Sequence, residues 1–140
     1  GSLSVFPAAT IVLHSKDNEQ IPVIALIDSG ATVSAMPKNI APLLGIDYKK
    51  GKRLKIFGIG SKRFAAWQHI LSIELGGNTI KLPVAFLDDN SIPRILGRAG
   101  LFENFSIVFK EDTRQSAFVG NNTQEANKMN SIIDSIELCE

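Results

Sequence analysis

The most informative segment of this 140-residue chain is residues 23–36, Val-Ile-Ala-Leu-Ile-Asp-Ser-Gly-Ala-Thr-Val-Ser-Ala-Met. Five apolar residues, 23–27, lead directly into Asp28, and a short continuous run of this kind predicts a buried strand. A carboxylate at the end of a buried strand is costly to desolvate unless something pairs with it. Residues 29–32 then add two hydroxyls and a glycine that lets a ligand or another backbone approach closely. The segment therefore predicts either a site or an ordinary Asp-Ser-Gly turn.

Two more apolar segments that contain glycine follow along the chain. Residues 54–60 and 63–75 bracket Gly60-Ser61-Lys62 and predict a hairpin, either a plain one or a mobile lid. Residues 92–97, Ile-Pro-Arg-Ile-Leu-Gly, form another apolar segment that ends in glycine and is followed by Arg98. Each motif is a weak signal alone, but the three occur in a fixed order within a short chain.

Together these motifs resemble those of the retropepsin-like (retroviral-type) aspartic proteases, over about residues 11–109. The residues that carry the resemblance are Asp28-Ser29-Gly30-Ala31-Thr32, then Ile56-Phe57-Gly58-Ile59-Gly60, then Ile95-Leu96-Gly97-Arg98. The resemblance implies an all-β acid-protease barrel with one short helix. It also implies an aspartic endopeptidase that binds a peptide or protein substrate as an extended strand and needs no cofactor.

The resemblance assigns a role to each matching residue. Asp28 would be the catalytic acid, within an active-site loop of Ser29, Gly30, Ala31 and Thr32. The flap over the substrate would be Phe57, Gly58, Ile59 and Gly60. Pocket and support residues would be Leu26, Ile95, Leu96, Gly97 and Arg98. We expect Leu26, Ala31, Ile59 and Ile95 to form the pockets, so that apolar side chains flank the cleaved bond.

The number of Asp-Ser/Thr-Gly motifs determines the expected assembly. Aspartic proteases use two carboxylates that hold a water and share one proton. This chain has a single such motif, since Asp134-Ser135 is followed by Ile136. The resemblance therefore predicts a homodimer, in which Asp28 of each subunit forms half of the catalytic pair.

The sequence departs from the retroviral pattern at three places. Thr32 stands where viral members usually have an aspartate that partners the arginine of the Gly-Arg motif, so Arg98 needs another partner. The flap is also less rich in glycine, and the chain extends further at its carboxyl end. These departures are typical of a bacterial or cellular branch of the family.

Composition is that of one soluble domain. The chain is 44% hydrophobic and 21% charged, with net charge +1, and it lacks a long basic block, so we expect no nucleic-acid partner. No apolar run reaches the ~20 residues of a membrane span, and two isolated histidines make a metal site unexpected. A single cysteine, Cys139, cannot form an internal disulfide, which fits a reducing compartment or indifference to redox, and we expect a cytoplasmic location. There is no signal-peptide pattern, although Gly1-Ser2 resembles a cloning remnant.

The remaining segments complete the predicted organisation. We expect strands at 8–14, 21–27, 33–36, 79–87, 105–110 and 115–119, a helical turn at 40–44, and a short helix at 98–104. Residues 1–119 would form the protease domain and residues 120–140 a linker and tail. In that tail Met129, Ile132, Ile133 and Ile136 fall on one face of a helix, which needs a surface to pack on.

Two other hypotheses compete with the peptidase. The first is a non-catalytic dimerisation or peptide-binding module of the same fold. The second is an unrelated small β-barrel, which predicts that Asp28 and Gly97 lie far apart.

Overall fold

Strands dominate the computed structural model, which describes residues 7–136. Nine strands occur in this part of the chain: β1 Ala8–His14, β2 Gln20–Ile27, β3 Ser34–Pro37, β4 Lys52–Phe57, β5 Arg63–Leu75, β6 Asn78–Leu87, β7 Ile95–Leu96, β8 Phe105–Lys110 and β9 Gln115–Gly120. Two α-helices accompany them, α1 Ile40–Leu43 and α2 Gln124–Ser135. Short 3₁₀ turns lie at Tyr48–Lys50, Ile59–Ser61 and Glu111–Thr113. The all-β fold class with one short helix and a C-terminal helix is confirmed.

Seven strands form one sheet that closes on itself. The order is β1-β2-β7-β3-β6-β5-β4, and β1 also pairs with β5 through Val12↔Glu74 and Leu13↔Ile73. Strand β4 therefore lies outside the closed ring, as an edge strand paired only with β5 among the described residues. Most pairs are antiparallel, but β2 with β7 and β3 with β6 are parallel. These two parallel pairs bring distant parts of the chain together at the carboxyl end of β2.

The core fills the inside of the barrel with alternate residues of its strands. Ile11, Leu13, Ile73, Leu82, Val84, Phe86 and Leu96 are fully buried. Helix α1 closes one side, with Leu44 just after it buried and Gly45 in the left-handed conformation at φ 68°. Glycine takes this conformation without the steric cost that a Cβ brings, so it ends the helix as the sequence predicts.

The expected helix at 98–104 is wrong. The segment folds as consecutive turns, in which Phe102 N–H donates to Arg98 O and Phe105 N–H to Leu101 O. Gly100 has φ 75° and interrupts a helical run. Its Cβ position would also lie 2.9 Å from Leu82 Cδ2, so the turn sits directly on β6.

Strands β8 and β9 form a separate two-stranded hairpin that leads into α2. Thr123 caps the helix by accepting from Ala126 N–H at 3.2 Å, and Ala126 is its buried residue. The predicted apolar face is on the helix, but Ile132 is 62% exposed and Ile136 is 55% exposed. The helix therefore forms without covering that face within residues 7–136, and the last four residues of the predicted tail lie outside the described part. Neither helix of residues 7–136 is long and apolar enough to cross a membrane.

Candidate active site

Asp28 is held at the centre of the sheet by main-chain hydrogen bonds. It follows the last residue of β2, and its N–H donates to Leu96 O of β7 at 2.9 Å. In the register of the parallel pair, Leu26 lies opposite Ile95 and Ile27 opposite Leu96. Asp28 and Gly97 are therefore neighbours, which contradicts the unrelated-barrel hypothesis.

The loop after Asp28 crosses the strand β7 at very close range. Arg98 N–H donates to Ala31 O at 2.8 Å, and Gly97 N–H donates to the buried hydroxyl of Ser34 at 3.0 Å. A Cβ on Gly97 would lie 2.5 Å from Val33 O, a distance that real Cβ atoms do not adopt. Glycine is thus required at this crossing, and the crossing fixes the active-site loop to the barrel.

The Asp28 carboxylate lies within its own turn. Gly30 N–H donates to Asp28 Oδ1 at 2.9 Å, and a Cβ on Gly30 would lie 3.2 Å from the same oxygen. Glycine keeps this donor close to the carboxylate. The hydrogen bond orients the carboxylate and satisfies part of its demand for donors.

The prediction of a buried strand that leads into a desolvated acid is wrong for the single chain. Strand β2 alternates, with Ala25 buried and Ile24 60% exposed, and Asp28, Ser29 and Gly30 are exposed. The strand has only one face on the core, so only alternate residues are covered. Any desolvation of Asp28 must come from something that binds over this surface.

The residues predicted to form the flap lie on the β4–β5 hairpin. Gly58 N–H donates to Lys62 O at 2.7 Å, and the 3₁₀ turn at Ile59–Ser61 makes the tip, with Gly60 at φ 76° and Ser61 at φ 62°. Phe57 is 65% exposed beside this tip. A large apolar side chain held in solvent on a hairpin end is available for a ligand.

A cavity of about 670 Å³ lies between the Asp28 loop and the flap. Its volume falls in the range of small-molecule and peptide sites. The lining is predominantly apolar, and Asp28 and Lys55 are its charged residues. The lining residues are Asp28, Gly30, Ala31, Thr32, Val33, Ala35, Leu54, Lys55, Ile56, Phe57, Gly58, Phe64, Leu87, Ile92, Pro93 and Ile95.

The predicted site residues divide into three groups around this cavity. Asp28, Gly30, Ala31, Thr32, Phe57, Gly58 and Ile95 line it. Ser29 and Gly60 lie in the adjoining loop and flap tip, and the backbone of Ile59 lies in that tip. Leu26, Leu96, Gly97 and Arg98 lie behind the cavity: Leu96 is fully buried, and Leu26 pairs with Ile95. Leu26 therefore does not line this cavity in the single chain, although it was predicted to form a pocket.

Several lining residues were not predicted from the sequence. Val33 and Ala35 come from the start of β3, Leu54 and Ile56 from β4, and Ile92 and Pro93 from the segment before β7. The sequence signal that could have identified Leu54 and Ile56 is their alternation with Lys55 and Phe57, because alternate residues of a strand lie on the same face. Alternation alone does not say which face meets the cavity.

Arg98 has a partner that replaces the missing aspartate. Its guanidinium lies over the ring of Phe102, 5.5 Å from the ring centroid. A cation over an aromatic face contributes about 0.5–1 kcal/mol when exposed. The Arg98 side chain thus packs on the turn that follows Gly97. Thr32 lies on the cavity wall and has no carboxylate with which Arg98 could form an ion pair.

A polar cluster joins the end of β6 to the base of the flap. Lys38 Nζ donates to Asp88 Oδ1 at 2.8 Å, and Tyr48 OH donates to the same oxygen at 3.0 Å. The hydrogen bonds from Lys38 and Tyr48 lower the pKa of Asp88, and the bond to Asp88 raises the pKa of Lys38. Burial, followed by the bond to Asp88, raises the pKa of Tyr48. Tyr48 also packs edge-on against Trp67 of β5 at 5.4 Å, so the cluster braces the hairpin.

Groups of three or more His, Cys, Asp or Glu with metal-binding geometry are absent from residues 7–136. The charged groups in the cavity lining are the Asp28 carboxylate and the Lys55 ammonium group.

Comparison with solved structures identifies the fold. The chain is similar to "EIAV protease complexed with the inhibitor HBY-793", with a TM-score of 0.51 and 24% identity over 70% of this chain and 86% of that one. It is also similar to the retroviral protease-like domain of Ddi1 from Leishmania major, with a TM-score of 0.59 and 19% identity over 86% of this chain and 98% of that one. At these identities the likeness shows the fold. A search of curated protein sequences finds no match.

Comparison with protein families gives a match over residues 15–102, well over half of the chain. The family is described as "gag-polyprotein putative aspartyl protease". The matched segment contains the Asp28 loop, the flap and the Gly97 crossing. The chain therefore belongs to this retropepsin-like aspartyl protease family.

Proposed function

We propose that this protein is an aspartic endopeptidase that acts as a homodimer, with Asp28 of each subunit activating one water. The observation that carries the proposal is that Asp28 is the acidic side chain of a flap-covered, otherwise mostly apolar cavity. Family membership supports the reaction class. The exposure of Asp28 in the single chain supports the second subunit, because a catalytic carboxylate pair works in a site from which bulk water is excluded.

The proposed reaction follows from two carboxylates held close together. Two carboxyl groups at short range cannot both be ionised, because the like charges repel, so one aspartic acid keeps its proton. The ionised Asp28 takes a proton from the water, which attacks the scissile carbonyl carbon, while the protonated Asp28 of the other subunit polarises the carbonyl oxygen. The amine leaves with a proton when the C–N bond breaks.

The remaining site residues would position the substrate. A peptide that lies extended between the floor and the flap would bond to main-chain groups near Gly30 and Gly58. Its side chains would enter the apolar pockets lined by Ala31, Ile95 and Phe57. We therefore expect apolar residues on both sides of the cleaved bond.

We propose that the β8–β9 hairpin forms the subunit contact. It forms a sheet of its own that packs on the core through Phe105, and Val108 and Phe109 on it are 41% and 42% exposed. Two hairpins related by a two-fold axis would bury these side chains against each other. The apolar face of α2 is another exposed apolar surface that such a dimer could cover.

The test is cleavage of a mixed peptide library between about pH 4 and pH 7, the range over which a shared carboxyl proton is retained or lost. Asp28→Asn keeps the shape of the side chain and removes its basicity. Asp134→Asn, in the exposed Asp-Ser of α2, is the matched control. We expect the wild type and the control to cleave, and Asp28→Asn to lose at least about 10²–10⁴-fold in kcat/KM.

Equal cleavage by the wild type and Asp28→Asn would contradict the proposal. Absence of cleavage by all three, with tight binding of library peptides, would support the peptide-binding module instead. That alternative shares the fold and the cavity, so activity separates the two.

A further inference from the structure

The positive charge of this protein is concentrated on its flap. Residues 49–63, which we call the cationic flap, hold seven lysines and arginines and no aspartate or glutamate. The rest of the chain has eight basic and fourteen acidic residues. The net charge of +1 thus hides a strongly positive hairpin on an otherwise acidic molecule. The seven residues are Lys49, Lys50, Lys52, Arg53, Lys55, Lys62 and Arg63.

All seven side chains are exposed, and five of them lie along the β4–β5 hairpin, part of which lines the cavity of the candidate active site. Lys52, Arg53 and Lys55 are on the edge strand β4, and Lys55 lines the cavity itself. Lys62 and Arg63 lie just beyond the tip, on the return side of the hairpin. A ligand that enters the cavity along β4 therefore passes Lys52, Arg53 and Lys55.

These charges are not neutralised by ion pairs within residues 7–136. The ion pairs found there are His14–Glu74, Lys38–Asp88 and Lys110–Asp112, and all of them lie outside the cationic flap. The neighbouring acids are already bonded: Asp88 accepts from Lys38 and Tyr48, and Asp89 accepts from Ser91 N–H at 2.7 Å.

Four of the cations lie over aromatic rings of the same hairpin region. The charged groups are 5.8 Å from the Tyr48 centroid for Lys49, 6.0 Å from Trp67 for Arg53, 5.8 Å from Phe64 for Lys62 and 5.6 Å from Phe57 for Arg63. Such contacts hold the charges along the hairpin without cancelling them. They also cover ring faces on which nucleic-acid bases would otherwise stack.

We infer that the cationic flap selects polypeptide substrates that carry acidic residues beside an apolar cleavage site. The inference rests on the proposed peptidase function and adds the charge of its substrate. A cleft lined by one sign of charge concentrates oppositely charged ligands and raises their association rates by about 10–10³-fold. The apolar lining receives the side chains at the cut, and the Asp28 carboxylate on the floor disfavours a phosphate backbone there.

A simpler role for the lysines is protection of the β4 edge against pairing with other strands. That role depends on charge but not on its sign, since glutamate protects an edge as well as lysine does. Substrate selection depends on the sign. Reversal of the charge therefore separates the two roles.

The experiment uses three peptides with one apolar core, flanked on both sides by Glu, Gln or Lys. We expect the wild type to show the highest kcat/KM for the peptide flanked by Glu, a lower value for Gln and the lowest for Lys. At low salt the Glu and Lys peptides should differ about tenfold. The difference should shrink as added salt screens exposed charges over about 10 Å. Lys52→Glu/Lys55→Glu leaves five cations and two anions on the cationic flap, so the ratio of kcat/KM between the Glu and Lys peptides should fall toward one. Lys16→Glu/Lys81→Glu makes the same change of net charge elsewhere and should keep the wild-type order.

The outcomes separate this inference from the peptidase proposal. Equal cleavage of the three peptides by the wild type at low salt would overturn the inference and leave the peptidase intact. Cleavage of none of them would overturn both. Inhibition by a single-stranded oligonucleotide that exceeds inhibition by poly-glutamate would also overturn it, because nucleic acid would then be the better ligand. The salt dependence of the wild type needs no variant, so the test holds even if the double variant fails to fold.

Discussion

Replacement of Gly97 by alanine would put a methyl group 2.5 Å from the carbonyl carbon and oxygen of Val33 and 2.9 Å from Ala31 O. Non-bonded carbon atoms pack at about 3.5–4.0 Å, so one of the two crossing segments must move by about 1 Å. Overpacking of a core costs about 1–3 kcal/mol. We expect the upper end, ~3 kcal/mol, because the obstructing atoms are main-chain atoms and cannot change rotamer.

For a domain of this size, a loss of ~3 kcal/mol lowers Tm by roughly 10 °C. The same movement would displace Asp28, since Asp28 N–H bonds to Leu96 O next to Gly97. We therefore expect peptidase activity to fall below that of a variant with equal loss of stability elsewhere.

The assay is guanidinium unfolding at fixed protein concentration, because the stability of a dimer depends on concentration. Gly77→Ala is the control. Gly77 has φ 79° and its Cβ position is in open space, so the alanine variant should lose about 1–2 kcal/mol through backbone strain without a clash. If Gly97→Ala lost no more stability than Gly77→Ala, the close crossing would not be the reason for this glycine.

Three further predictions follow from named contacts. Ser34→Ala should lower the free energy of unfolding by about 1–3 kcal/mol, because it leaves the buried Gly97 N–H without an acceptor. The lowered pKa of Asp88 means that its stabilising contribution is present above the unfolded value of about 3.9 and is lost as pH falls through the folded value. The Tm difference between wild type and Asp88→Asn should therefore be larger at pH 6 than at pH 2, and equal differences at both would contradict this. Phe109→Ser should raise the dimer dissociation constant at least about tenfold in sedimentation velocity, whereas an unchanged constant would place the contact elsewhere.

Local sequence patterns predicted the strands well. Ala8–His14 was predicted with the bounds that the structure has, and β8 and β9 follow the predicted segments closely. These strands belong to hairpins. A hairpin can be predicted from a short segment, because its turn residues and the alternation of apolar and polar residues lie close together in the sequence.

The closure of the sheet could not be predicted from such patterns. Strand β7 has two residues and lies between β2 and β3, with parallel pairing to β2 across about seventy residues of chain. Only the resemblance to a known family indicated that Asp28 and Gly97 would meet. The exposure of Asp28 was missed because a strand that looks continuously apolar can still have one face in solvent, as Ile24 does.

The tail shows what a periodic pattern can and cannot predict. The spacing of Met129, Ile132, Ile133 and Ile136 predicted α2, since a period of 3.6 residues specifies a helix. It did not predict that this face would remain largely uncovered by the described residues. The division of the chain at residues 119 and 120 into domain and tail stays a prediction.

The central claim is that two copies of Asp28, one from each subunit, make one active site. The measurement is the activity of a fixed amount of wild type after subunit exchange with increasing amounts of Asp28→Asn. With random exchange, an equal amount of variant should reduce activity to about half, and a threefold excess to about a quarter. The reason is that a mixed dimer has only one of the two Asp28 carboxylates and is inactive. Activity that stays constant at every ratio, when affinity capture of a tagged Asp28→Asn chain also recovers untagged wild type, would contradict the shared site.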